Sequence, residues 1–159
     1  MELEALFVKH RDDLFRYLAR YTGDADVAED LVQETFLKLA RRPFGTPHHV
    51  KGWLFAVATN LAKDAHKASR RQGELARLAG EESSTRAPGD PAALLERAEV
   101  RRQVRGALEA LSHKERTALL LREEGFAHRE IAAVLGTTTG SVGTLVARGL
   151  AKLARMLHP

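Results

Sequence analysis

Asn60, Lys63, Lys67, Arg70 and Arg71 recur at helical intervals, so a helix through them would carry one amide followed by four cations along a single face. Cations so spaced can neutralise successive phosphates, and an amide can pair with a base edge, so the stripe points to a nucleic acid. A second face has the opposite character. Asp30, Gln33, Glu34 and Leu37 stand at i, i+3, i+4 and i+7, which gathers two carboxylates, an amide and an apolar side chain for a basic partner surface. Catalysis has no comparable signature. There is no phosphate-binding glycine loop, no nucleophile spaced with a base, and no Cys for thiol chemistry, disulfides or Cys-ligated metal. His48, His49 and His66 lack ligand spacing and read as solvated loop histidines, so neither a metal nor another cofactor is expected.

The elements that must position these faces are helices. Ala, Leu, Arg and Glu dominate the 159 residues, and the fold class expected is all-α, two small helical domains joined by a flexible linker. The linker is placed at 75–92, centred on a stretch from Gly80 to Pro91 that has turn-forming residues and no apolar period. One module then occupies 1–74 and the other 93–159. No apolar run approaches the roughly 18 to 20 residues that span a bilayer, and no leader is evident behind Met1, so a soluble cytoplasmic chain without membrane insertion is expected.

Charge follows this division. Residues 1–40 hold nine acidic and five basic side chains, 41–77 eight basic and two acidic, and 101–159 ten basic and five acidic. Two basic blocks suit a polyanion, and the acidic opening block suits something basic.

In the first module, Leu3, Leu6, Phe7, Leu14, Leu18 and Tyr21 give one helix its apolar face, and Val27, Leu31, Thr35 and Leu39 a second, over about 26–41. A third helix, about 50–71, is expected to bury Trp53, Leu54, Val57, Leu61 and Ala65 opposite the cationic stripe. In the second module, Val104, Ala107, Leu108 and Leu111 form a short helix, and Ser112 with Glu115 reads as a capping box for the next. The strongest local pattern starts at His128. With His128 as position one of a helix-turn-helix, Ala132 falls at five, Gly136 at nine, Val142 at fifteen and Leu145 at eighteen, with Ile131 and Leu135 in the core. A small residue is needed where the helices cross, a glycine at the turn, and apolar residues where the recognition helix packs down.

Taken in order, Asp30 to Phe36, the helix from Gly52-Trp53-Leu54 through Asn60 and Asp64 to Arg70-Arg71, the linker and the terminal helix-turn-helix resemble the sigma-70 family, specifically its small two-domain extracytoplasmic-function (ECF) group. The resemblance covers nearly the whole chain. It implies a promoter-specificity subunit that binds bacterial core RNA polymerase and has no catalytic activity of its own. Asp30, Gln33, Glu34 and Leu37 would dock on the clamp helices of the largest polymerase subunit. Asn60, Lys63, Lys67, Arg70 and Arg71 would read and open the minus-10 element of promoter DNA, with Asn60 as base reader. An anti-sigma factor is the regulatory partner implied.

The second module would bind the minus-35 element through Arg129, Thr139, Ser141, Thr144, Arg148 and Lys152, and here the sequence departs from the family. Thr138, Thr139, Gly140, Ser141, Gly143, Thr144 and Ala147 supply no long hydrogen-bonding side chain, whereas bidentate base reading normally needs one. Shape-dependent recognition is expected, with Arg129 and Arg148 supplying mainly affinity. Gly140, Gly143 and Gly149 are each expected to weaken the helix by up to about 1 kcal/mol relative to Ala. An alternative is a sigma-like mimic that binds an anti-sigma protein without recognising a promoter, but a mimic should have lost the stripe from Asn60 to Arg71. A helix-turn-helix repressor with a dimerisation domain would need a self-complementary apolar face, and none is visible.

Overall fold

The computed structural model describes residues 3–78 and 91–158, and among them there are seven helices and no strands. The helices are α1 (Leu3–Thr22), α2 (Ala25–Ala40), α3 (Val50–Leu78), α4 (Pro91–Glu109), α5 (His113–Glu123), α6 (His128–Leu135) and α7 (Thr139–Leu157). Helix therefore reaches into both ends of the segment assigned to the linker, whose middle, 79–90, lies outside the described residues.

The first three helices pack on one another around Leu6, Leu14, Tyr17, Leu18, Leu31, Phe36, Leu54 and Phe55. Asp24 starts α2 by accepting the N–H groups of Asp26 (2.9 Å) and Val27 (3.2 Å). The register of α3 differs from the expected one. Its fully buried residues are Leu54, Phe55, Ala58, Thr59 and Ala62, whereas Trp53, Val57, Leu61 and Ala65 are half-buried along the edges. The helix turns its small residues inward because Ala58, Thr59 and Ala62 admit close approach to α1, where the buried Tyr17 hydroxyl meets Thr59 Oγ1 at 2.7 Å. Leu3, assigned to the core, is 42% exposed, and Val27 is half-buried, with Ala28 and Val32 buried beside it.

In the second module, α5 is capped as expected: Ser112 N–H donates to Glu115 Oε1 (2.9 Å) and Glu115 N–H to Ser112 Oγ (3.1 Å). The preceding helix is longer than expected and buries Ala107 while leaving Val104 41% exposed. Helices α6 and α7 meet at 94° across a turn where Gly136 takes φ 66°. Ile131 and Val142 are fully buried, Ala132 is 5% exposed, and Leu135 and Leu145 are half-buried, so the helix-turn-helix spacing holds. Gly149 serves packing rather than merely weakening α7. A Cβ there would lie 2.6 Å from Leu119 Cδ1, so the glycine lets α7 press against α5.

The modules touch. Arg16 of α1 bonds Glu124 at 2.7 and 3.0 Å, the Phe55 and Phe126 rings meet edge to face with centroids 4.9 Å apart, and Arg116 donates to the carbonyl of Tyr21 at 3.2 Å.

Candidate nucleic-acid interface

Three surfaces carry the chemistry. On α2, Asp30, Gln33, Glu34 and Leu37 are all exposed, Leu37 at 51%, because the other side of the helix presents Ala28, Leu31, Val32, Thr35, Phe36 and Leu39 to the core. Sequence reasoning missed the contribution of α1. Leu3, Glu4 and Phe7 join Gln33, Phe36, Leu37 and Ala40 around an apolar groove of about 430 Å³, so Leu37 is the rim of a wider patch. Leu3 and Phe7 fit an ordinary amphipathic stripe, and only the angle between α1 and α2 distinguishes them from core.

On α3, Asn60, Lys67, Arg70 and Arg71 are exposed and Lys63 is half-buried. At 1.5 Å per residue the stripe is about 16 Å long. Beside it lies the segment 41–49, which sequence reasoning did not assign. Arg42 fixes it, donating to the carbonyl of Gly45 (2.7 Å) while its guanidinium sits 5.7 Å from the centre of the Trp53 ring. Phe44 stands 88% exposed on this segment. Trp53 is half-buried under the Arg42 guanidinium, and an exposed ring such as Phe44 is one on which an unstacked base can stack. The Pro43, Gly45 and Pro47 turn signals conceal such an aromatic, since loops are otherwise expected to be polar.

On the second module, Thr138 caps α7, accepting the N–H of Ser141 at 3.2 Å and donating to its hydroxyl at 3.0 Å. Thr139, Ser141, Thr144 and Arg148 are exposed, and a shallow depression of about 550 Å³ runs past Thr138, Ser141 and Thr144 between Lys114 and Arg148. Two of the hydroxyls are already committed within the chain, because Thr144 also donates to the carbonyl of Gly140 at 3.3 Å. Cationic reach comes from Arg148, the exposed Arg129 of α6 and Lys114. Lys114 was missed because it belongs to α5, far from α7 in sequence.

Lys152 stands apart from the other expected minus-35 residues. Its ammonium donates to Glu115 Oε1 at 2.7 Å, and Glu115 is 4% exposed. Burial works against the Glu115 carboxylate, but Lys152 and the Ser112 N–H outweigh it and hold the carboxyl below its usual range. Lys152 therefore ties α7 to the capping box of α5, and we assign it to packing rather than to phosphate.

The histidines also divide. His48 and His49 are exposed outside the helices, but His66 is in α3 and half-buried, against Tyr21 and Arg116. No cluster of groups that could hold a metal ion occurs among the described residues. No single described helix is long and apolar enough to cross a membrane.

An acidic and apolar face, a cationic helix face and a helix-turn-helix thus stand together in one all-helical chain. Comparison with known proteins gives the class. Residues 6–72 match Sigma-70 region 2 and residues 101–153 match Sigma-70 region 4. The ECF RNA polymerase sigma factor SigL of Mycobacterium tuberculosis is 34% identical over 148 residues, 88% of this chain and 80% of that protein. SigE of Mycolicibacterium smegmatis is 32% identical over 155 residues, 94% of this chain, which spans 59% of SigE's length. The sigma factor RpoE from Bartonella quintana, solved in complex with the anti-sigma factor NepR, has the same fold, with a TM-score of 0.69 at 24% identity over 97% of this chain and 95% of that one. The chain belongs to the sigma-70 family, in its ECF group, whose members are promoter-specificity subunits of RNA polymerase and not enzymes.

Proposed function

We propose that this chain docks on bacterial core RNA polymerase through Asp30, Gln33, Glu34 and Leu37 together with the α1 side of the groove, and directs initiation at promoters read through both modules. The observation that carries this reading is the simultaneous exposure of the acidic and apolar face on α2 and of Asn60, Lys67, Arg70 and Arg71 on α3, each on a helix whose other side is core. A sigma mimic would have no use for the stripe. Asn60, Lys63, Lys67, Arg70 and Arg71 engage the minus-10 element, the cations holding the backbone while Asn60 reads a base. The ring of Phe44 offers the surface that offsets the few kcal/mol of unstacking.

Minus-35 binding rests on Arg129, Arg148 and Lys114 for phosphate affinity, with Thr139, Ser141 and Thr144 facing the groove. Short hydroxyls discriminate bases weakly, so groove shape supplies much of the selectivity. On this reading the chain works in the cytoplasm, where its polymerase and promoter are, under control of an anti-sigma protein.

Transcription by purified chain with core polymerase on fragmented genomic DNA, compared with core alone, tests the reading. New start sites sharing an upstream element are expected, and Asn60→Ala should alter the minus-10 preference. A chain that binds core but gives no new starts would refute promoter reading.

A further inference from the structure

The seam between the modules holds chemistry that promoter binding does not use. Tyr21, at the end of α1, bonds through its hydroxyl to Nδ1 of His113, the first residue of α5. Arg116, 2% exposed, donates to the carbonyls of Leu108 (3.1 Å) and Tyr21 (3.2 Å), and its Nη1 lies 3.4 Å from Nδ1 of His66 on α3. A guanidinium has no acceptor, so His66 can join this network only through an unprotonated Nδ1. Burial raises the Tyr21 pKa and keeps its hydroxyl protonated, so with Nδ1 of His113 unprotonated the hydroxyl donates to it, and Thr117 Oγ1 lies 3.5 Å from the same nitrogen. Two neutral imidazoles are thus built into the contact between modules.

The charged groups around them are mostly cations. Lys63 and Lys67 of α3, Arg116 of α5 and His66 itself face His113; Arg116 and Arg70 face His66, opposed there by the carboxylate of Glu109 of α4.

We propose that this seam is a proton-operated latch: with His66 and His113 neutral the modules are held together, and protonation of the pair parts them. Protonation turns two acceptors into donors that point at a tyrosine hydroxyl and a guanidinium, and it adds positive charge where Lys63, Lys67, Arg70 and Arg116 already stand. Burial and then Lys63, Arg116 and Lys67 push the His113 pKa down to about 4, and burial with Arg116 and Arg70 lowers that of His66 against a smaller opposing effect of Glu109. The closed form therefore binds fewer protons than the open one. Closure is favoured above the ordinary imidazole range near 6.5 and loses ground as pH falls through it. Between pH 7.5 and 5.5 the closed-to-open ratio should drop about tenfold through His113, an upper figure for a half-exposed ring. The Phe55–Phe126 contact is uncharged and persists, so protonation shifts the equilibrium without abolishing closure.

The consequence for transcription rests on the function proposed above. Minus-10 and minus-35 elements lie about 25 base pairs apart, roughly 85 Å at 3.4 Å per base pair, so modules in contact cannot occupy both. Opening, and hence full promoter engagement, becomes easier as the pH falls.

The test uses the full chain, which has no native Cys, with fluorophores attached at Lys38→Cys and Ala154→Cys, both exposed and away from the seam. Energy transfer between single dye pairs reports module separation from pH 7.5 to 5.5, with far-UV circular dichroism at each pH. The closed fraction should fall at pH 5.5 with helicity intact. The double variant His66→Gln, His113→Gln should lose that response, and His113→Lys should be open already at pH 7.5. A wild-type separation indifferent to pH, a response surviving in the double variant, a closed His113→Lys, or opening that coincides with loss of helix would each overturn the latch. Failure to direct transcription with core polymerase would sink the promoter reading instead, and would leave the latch standing.

Discussion

Lys152→Met separates a phosphate contact from a packing contact. Each phosphate neutralised on duplex DNA contributes about −0.9 to the slope of log K against log salt concentration, so one contact changes the affinity ratio between 50 and 200 mM salt by about 3.5-fold. Because the Lys152 ammonium is held by Glu115 at 2.7 Å, the variant should bind a mixed-sequence duplex with an unchanged slope. Arg148→Ala, which removes an exposed guanidinium beside the α7 depression, should reduce the slope by about 0.9. Stability should respond in the reverse order. Losing Lys152 leaves the Glu115 carboxylate, whose side chain is 5% exposed, with the Ser112 cap but no cation. The Lys152 side chain is 36% exposed, so the full penalty for a buried unpaired charge does not apply and about 1 kcal/mol is expected. That corresponds to roughly 2–4 °C in Tm for a chain of this size, read by thermal unfolding. The double variant Glu115→Gln, Lys152→Met should recover part of it by removing the stranded charge. A shallower salt slope for Lys152→Met at unchanged Tm would refute the packing assignment and return Lys152 to the DNA.

Gly136→Ala should cost about 1–2 kcal/mol in thermal or urea unfolding, because Gly136 sits at φ 66° with nothing near its Cβ position, leaving backbone strain alone to act. Glu34→Lys with Leu37→Asp should abolish co-purification with core polymerase while leaving the circular dichroism spectrum unchanged, since both side chains are exposed. Glu115, with its pKa lowered, stabilises the fold above the ordinary glutamate range near 4.3 and loses that contribution as pH falls through and below it. Acid unfolding of Glu115→Gln should therefore be flatter than wild type below about pH 4.5. Phe44→Ala should leave stability unaltered, because the ring is 88% exposed, yet reduce open-complex formation as measured by permanganate footprinting.

What the sequence discloses depends on how local the determining contact is. Ser112 with Glu115, and the run from His128 to Leu145, are set by spacings of a few residues, so their chemistry can be read along the chain and matches the structure. The inward face of α3 cannot be read so easily, because apolar residues occupy both the Trp53–Val57–Leu61–Ala65 and the Leu54–Phe55–Ala58–Ala62 rows. Helix-period reasoning favours the bulkier row, but the approach of α1 at Tyr17 and Thr59 selects the smaller one and leaves Trp53 at the edge beside Arg42. The seam is further out of reach. Arg16 and Glu124 are 108 positions apart, Tyr21 and His113 are 92 apart, and nothing in either neighbourhood distinguishes a bridging arginine or histidine from a solvated one. Charge counted in blocks is silent there: the cations of α3 suggest a surface for a polyanion, but not that Lys63 and Lys67 also face His113 from the other module. On the reading proposed above, a stripe that engages DNA when the modules part would act against imidazole protonation when they meet. The same residues would then connect the proposed promoter contact to the equilibrium proposed to govern access to it.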